Sequence, residues 1–293
     1  MDALLDRLWE LANQDDEPQT AQRNGRITEA RALWRALEVL LSSLNAHDFC
    51  VGDGTFTKTL ACIRSVLSDS SYWRTPSGVS LTDDDKATSV FVCVNRVLLK
   101  VAGRGPKERE ALVRDGVADL MVRCCDAQPL HQGYSLSAAE GAAALQTLHA
   151  LAAEAKSRAG MLVSQTIRLS SQLMQKHESV FAVQLRGCQF LHQMSLEEDS
   201  KERIGRQGGL QALTKALMRF PAEKELVVIA LDLLLLLCWE LEYREGPVQS
   251  AQYRSVNSAV LHGLVNGVVS AMRMLKNVEL IQANGIAILN KWV

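Results

Sequence analysis

Apolar residues return along the C-terminal half of the chain at a long fixed period. Small residues stand at Ala144, Gly187, Ala230 and Gly285. Four residues after each come Leu148, Leu191, Leu234 and Leu289, and three further on come Leu151, Met194, Leu237 and Trp292. Spacings of four and seven put these positions on one side of a helix, so each run predicts a helix with a buried stripe. The steps between the small residues are 43, 43 and 55. A helical stripe recurring near that period is the mark of stacked helical repeats, each burying its apolar face against its neighbours. The longer last step is explained by a polar insert, Glu240 to Tyr253, of about the excess length.

The same periodicity places helices over 2–12, 27–45 and 56–67, with polar loops over 13–25 and 69–85. Thr82-x-x-Asp85 has the spacing of a capping box, with Asp in place of Glu or Gln, and opens a helix running through Val101. Gly103-Arg104-Gly105-Pro106 breaks that helix. Beyond it, turns are expected at Asp115-Gly116-Val117, near Gly160, at Gly208-Gly209 and at His262-Gly263-Leu264. Breaks are expected at Lys176-His177, Phe220-Pro221 and Lys276-Asn277, and Ser137-x-x-Glu140 opens another helix. The organisation expected is an irregular helical part over 1–105, followed by about four repeats over 106–293 with the insert at 240–253.

Composition narrows the function classes. Thirty-two Lys and Arg against 33 Asp and Glu leave a net charge of −1, without the basic excess of a nucleic-acid binder. Seven cysteines include no CxxC, and several fall on apolar stripes, which fits a reducing compartment. The longest apolar run, Leu226 to Trp239, carries Asp232 and falls short of the roughly 20 residues of a bilayer span. The acidic start, MDALLDRLWELANQDDE, has the pattern of neither a signal nor a transit peptide. A cytoplasmic location is expected, with cytoskeletal or ciliary association as an extension of it.

Three segments carry a resemblance. GGLQALTKALMRFPAEKELVVIALDLLLLL and HGLVNGVVSAMRMLKNVELIQANGIAILNKW resemble armadillo repeats, and KHESVFAVQLRGCQFLHQM is similar to the end of such a unit. HEAT repeats share the geometry. The resemblance implies an all-α fold, a right-handed armadillo-like superhelix, and a function in binding other proteins. In nuclear-import adaptors of this family, an asparagine ladder and a tryptophan row hold an extended peptide. Here the ladder positions are Ala150, Gln193, Leu236 and Lys291, and the tryptophan positions are Gln146, Gln189, Asp232 and Ala287, so that groove is absent. A β-catenin type of groove needs a row of Lys and Arg, where only Lys291 stands.

No reaction site emerges. Gly103 to Lys107 lacks the phosphate-loop pattern, no HExxH is present, and Asp83-Asp84-Asp85 lacks the Gly and Glu of a calcium loop. No catalytic residue, metal or cofactor is expected. The aromatic and basic groups Tyr72-Trp73-Arg74 and Tyr243, Arg244 and Tyr253 are expected interface anchors, since aromatics and Arg dominate interface energetics. Lys291 and Trp292 join them at the C-terminal end, which a further repeat or a partner subunit is expected to cover. The function expected is a non-catalytic protein–protein scaffold or adaptor within a larger assembly. The alternative is a regulatory or autoinhibitory module of an enzyme complex.

Overall fold

A computed structural model describes residues 1–13, 20–43, 54–68, 89–126, 136–243 and 258–292; side chains are described there except at 20–24, 68, 126, 238–243, 258, 259, 261 and 292. Among the described residues there are fifteen helices and no strand. They fall into two compact units, Met1–Ser164 and Gln165–Val293.

In the first unit, α1 (Asp2–Ala12), α3 (Gly54–Ser68) and α6 (Val117–Asp126) pack side by side. A second row is formed by α2 (Thr20–Ser43), α4 (Val90–Ala102) and α7 (Ala138–Leu151). The short helices α5 (Pro106–Arg114) and α8 (Ala155–Met161) pack on one another. Buried along α4 are Val90, Phe91, Val94, Val97, Leu98 and Val101, so tertiary burial overrides the modest helix propensity of valine. Between α4 and α7 sits a buried polar pair. The Thr147 hydroxyl donates to Asn95 Oδ1 at 2.7 Å, and Asn95 Nδ2 donates to the Phe91 carbonyl at 2.9 Å. The C-terminal carbonyls of α7 are also served: the Arg158 guanidinium donates to those of Ala152 and Ala153, both at 3.1 Å.

The second unit repeats the plan. One row is α9 (Thr166–Lys176), α12 (Gly209–Arg219) and α14 (Ser258–Met274). The other is α10 (Phe181–Met194), α13 (Lys224–Tyr243) and α15 (Glu279–Trp292), with the short α11 (Glu198–Arg206) beside α12. The aligned small residues now have a cause. A Cβ at Gly187 would overlap Met174 of α9, and a Cβ at Gly285 would overlap Met272 of α14. Each methionine lies thirteen residues before its glycine; at the same offset Ala230 has the shorter Leu217. Three residues before each glycine, a glutamine ties the two helices together. Gln184 Nε2 donates to the carbonyls of Met174 at 2.8 Å and His177 at 3.0 Å. Gln282 Nε2 does the same to Met272 at 3.0 Å and Leu275 at 3.1 Å. Two carbonyls at the end of the preceding helix are thereby satisfied in each repeat.

Several boundaries follow the local chemistry. Ser137 and Glu140 form a complete capping box on α7, and Pro106 takes the first position of α5 after Gly105. Gly116 and Gly208 adopt φ of +78° and +86°, as expected of glycine in tight interhelix turns. Thr82 to Asp85 and the whole 69–85 loop lie outside the described residues; α4 has Ser89 as its cap, its hydroxyl accepting from the Val92 amide at 3.3 Å.

Four expectations are corrected. The loop expected over 13–25 ends at Thr20, where α2 starts. Ala21, Gln22 and Arg23 are good helix formers, and as a polar lead-in they show no apolar period. Gly160 marks no turn but lies within α8, where a Cβ would stand 2.8 Å from Val113 Cγ1. His262-Gly263-Leu264 is likewise helical, and a Cβ at Gly263 would meet Thr214 Cγ2 at 2.9 Å. Both glycines serve close helix packing. Finally, α13 runs on to Tyr243, so the first residues of the 240–253 insert are helical.

The turn expected near Gly160 falls at Gln165, with φ of +52°. A left-handed residue with a Cβ is strained, and a β-branched one more so. Gln165→Val is therefore expected to be about 1–2 kcal/mol less stable than Gln165→Gly in urea unfolding.

Candidate interaction surface

Little of the expected site can be placed. Tyr72, Trp73, Arg74, Arg244 and Tyr253 lie outside the described residues, as do the side chains of Tyr243 and Trp292, whose backbones belong to α13 and α15. Lys291 is half-buried near the end of α15.

What the fold does bring together is one face of α10, α13 and α15. On α13, Val228, Ile229, Leu235 and Leu236 are half-exposed, while Glu225 and Asp232 are exposed. The acidic residues of this face are bonded to the neighbouring helix. Gln189 Nε2 of α10 donates to Glu225 Oε1 at 3.2 Å, and His192 Nε2 lies 2.7 Å from Asp232 Oδ2. Arg186 Nη1 in turn donates to Gln189 Oε1 at 2.8 Å. At the matching positions of α15, Leu280 and Ala283 are exposed and Ala287 is half-exposed. Of the positions that hold a peptide in import adaptors, Gln189 and Asp232 are used here for pairs between adjacent helices, and Leu236 and Ala287 are aliphatic.

This face was missed in the sequence because α13 reads as apolar on every side, which suggested complete burial. The usable signal was the acidic residue at each seventh position, Glu225 and Asp232, interrupting the aliphatic run. A second apolar area lies on α15. Ile286 is 52% exposed, whereas Leu145, Cys188 and Leu231, at the same place in their repeats, are 0% exposed.

Among the described residues no three His, Cys, Asp or Glu side chains cluster as metal ligands, and no helix is long and apolar enough to cross a membrane. The cysteines form no disulfide there: Cys62, Cys93, Cys124 and Cys188 are buried and Cys125 is partly exposed. Desolvation pushes the Cys62 thiol up to about 11 and that of Cys188 up to about 12. A buried thiol held neutral is a poor nucleophile. Peptide mapping after maleimide labelling near pH 8 is expected to show Cys125 modified in the folded protein and Cys188 only after unfolding. Because the folded state keeps the Cys188 proton, this group supports stability below pH 9; that support is lost as pH rises toward 12.

No family model matches the chain, and no curated protein matches it. Solved structures do. An engineered protein is 13% identical and aligns over 98% of both chains with a TM-score of 0.57. The armadillo-repeats-only protein from Plasmodium falciparum is 12% identical and aligns over 84% of this chain and 100% of its own, with a TM-score of 0.51. At such identities the likeness concerns the fold: the chain has an all-helical, armadillo-type repeat fold.

Proposed function

We propose that the chain is a non-catalytic protein-interaction scaffold, a component of a larger assembly, and that the α10–α13–α15 face is its principal docking surface. The observation that carries this is the row of half-exposed aliphatic side chains on α13, continued by Leu280 and Ala287 on α15. Apolar groups left in water and rimmed by polar residues mark places where partners bind. An armadillo-type fold supports the choice of a protein partner, since stacked repeats present extended binding surfaces. Half-exposed Ile286 offers a second contact area. Composition adds Tyr72, Trp73, Arg74, Tyr243, Arg244, Tyr253, Lys291 and Trp292 as proposed further contacts.

The test is crosslinking of the chain with its partners in its native cell, each link located by mass spectrometry, for wild type and for Val228→Lys/Leu235→Lys. Links to one or two stoichiometric proteins through Lys224 or Lys291, lost in the variant while its thermal unfolding is unchanged, are the expected result. Links confined to other surfaces, or unaffected by the variant, would remove this face from the function.

A further inference from the structure

Along α13, Glu225, Val228, Ile229, Asp232, Leu235 and Leu236 fall at i, i+3, i+4, i+7, i+10 and i+11. Two carboxylates, seven residues and about 10 Å apart along the axis, therefore alternate with two aliphatic pairs. No Lys or Arg stands on α13 after Lys224. Glu225 is bonded to a neutral amide, that of Gln189, and the Asp232 carboxylate, beside His192, remains 52% exposed. Arg186 of α10 is engaged with Gln189 Oε1, while Lys224 adjoins Glu225 and Lys291 of α15 stands at the position matching Leu236. The strip combines apolar grip with exposed negative charge at a heptad spacing.

We propose that this strip docks an amphipathic α-helix of a partner protein, one whose aliphatic seam is flanked by Lys or Arg at seven-residue spacing. The proposal rests on the scaffold function given above and adds the chemistry of the partner. A helix suits the surface better than an extended peptide for two reasons. The asparagine ladder that would hold an extended backbone is replaced by Gln193, Leu236 and Lys291. Aliphatic pairs recurring every seven residues match the seam of a helix laid along them, with Glu225 and Asp232 in the role of flanking charges. Small residues at Ala283 and Ala287 of α15 leave room for a helix to come close. The exposed ion pairs contribute discrimination more than affinity, and salt screens them.

The test uses the full chain and two synthetic amphipathic helical peptides of about twenty residues with the same leucine seam. One carries Lys at the flanking positions and the other Glu, and binding is followed by fluorescence anisotropy at low and high salt. The Lys peptide is expected to bind about three- to tenfold more tightly at low salt, as two exposed ion pairs allow, with the difference collapsing at high salt. Glu225→Gln/Asp232→Asn should abolish the preference and Glu225→Lys/Asp232→Lys should invert it; both lose the bonds to Gln189 and His192, so each is compared at a temperature where circular dichroism shows it fully folded. Equal binding of the two peptides, preference for the Glu peptide, or binding of neither would overturn the proposal. If native crosslinks still map to α13 and α15 in that event, the scaffold function stands and only the partner's chemistry is wrong. If no crosslink maps there, both fall.

Discussion

Replacing Trp34 by alanine is expected to destabilise the N-terminal unit by about 3–5 kcal/mol, the usual range for deleting a buried large aromatic. Trp34 is 0% exposed on α2, on the stripe of Ala30, Leu37 and Leu41, and it is the largest fully buried side chain among the described residues. Alanine leaves a cavity that neighbouring helices, held by their own packing, close only in part. The indole Nε1 is buried and makes no hydrogen bond. Trp34→Phe therefore removes an unsatisfied donor while keeping most of the ring volume, and it should cost less than about 1.5 kcal/mol. Urea unfolding, with hydrogen exchange to locate the loss in residues 1–164, checks both. An alanine variant within about 1 kcal/mol of wild type would mean that α2 is not packed as described.

The second large effect is expected at Gly187. Helix propensity alone predicts that Gly187→Ala stabilises α10 by about 0.5–1 kcal/mol. The structure predicts the opposite sign, because the new methyl would occupy the space of Met174 Sδ and Cγ. Overpacking of this kind costs about 1–3 kcal/mol, since a methionine moved aside must displace its own neighbours. The two effects separate in a double-mutant cycle. Met174→Ala alone leaves a cavity, but in that background Gly187→Ala should become neutral or stabilising. Additive effects of the two changes would deny the contact. Gly285 and Met272 repeat the arrangement, so the same cycle there should give the same sign.

These two sites show why some of the fold was legible and some was not. Trp34 could be assigned to the core from its stripe, because periodicity reports which side of a helix is apolar. Gly187 could be aligned with Ala144, Ala230 and Gly285 as a small position, but the reason for its size lies on another helix. The same ambiguity produced the misplaced turns. Glycine serves both to reach positive φ, as at Gly116 and Gly208, and to let helices approach, as at Gly160 and Gly263. Composition does not separate those uses, and a turn built on Gln165 leaves no glycine to notice.

The candidate surface was less legible still. Val228, Ile229, Leu235 and Leu236 belong to a helix apolar on every side, and hydrophobicity does not say which face a neighbour covers. The expected anchors were chosen by residue type, as aromatic and basic groups in polar segments, and among the described side chains the helices of this face share only Lys291 with them.

By itself, then, the sequence determined an all-helical chain built from repeats near 43 residues, its buried stripes and most of its helix ends. Those features arise from local physics: the period of the helix, the caps, and the refusal of proline and the freedom of glycine. Only the tertiary structure decided which small residues meet a methionine, which glycines are packed instead of turned, and which leucines remain in water. Each of these depends on what lies across a helix–helix contact, set by residues far from it in the chain, as Met174 is from Gly187 and Val113 from Gly160.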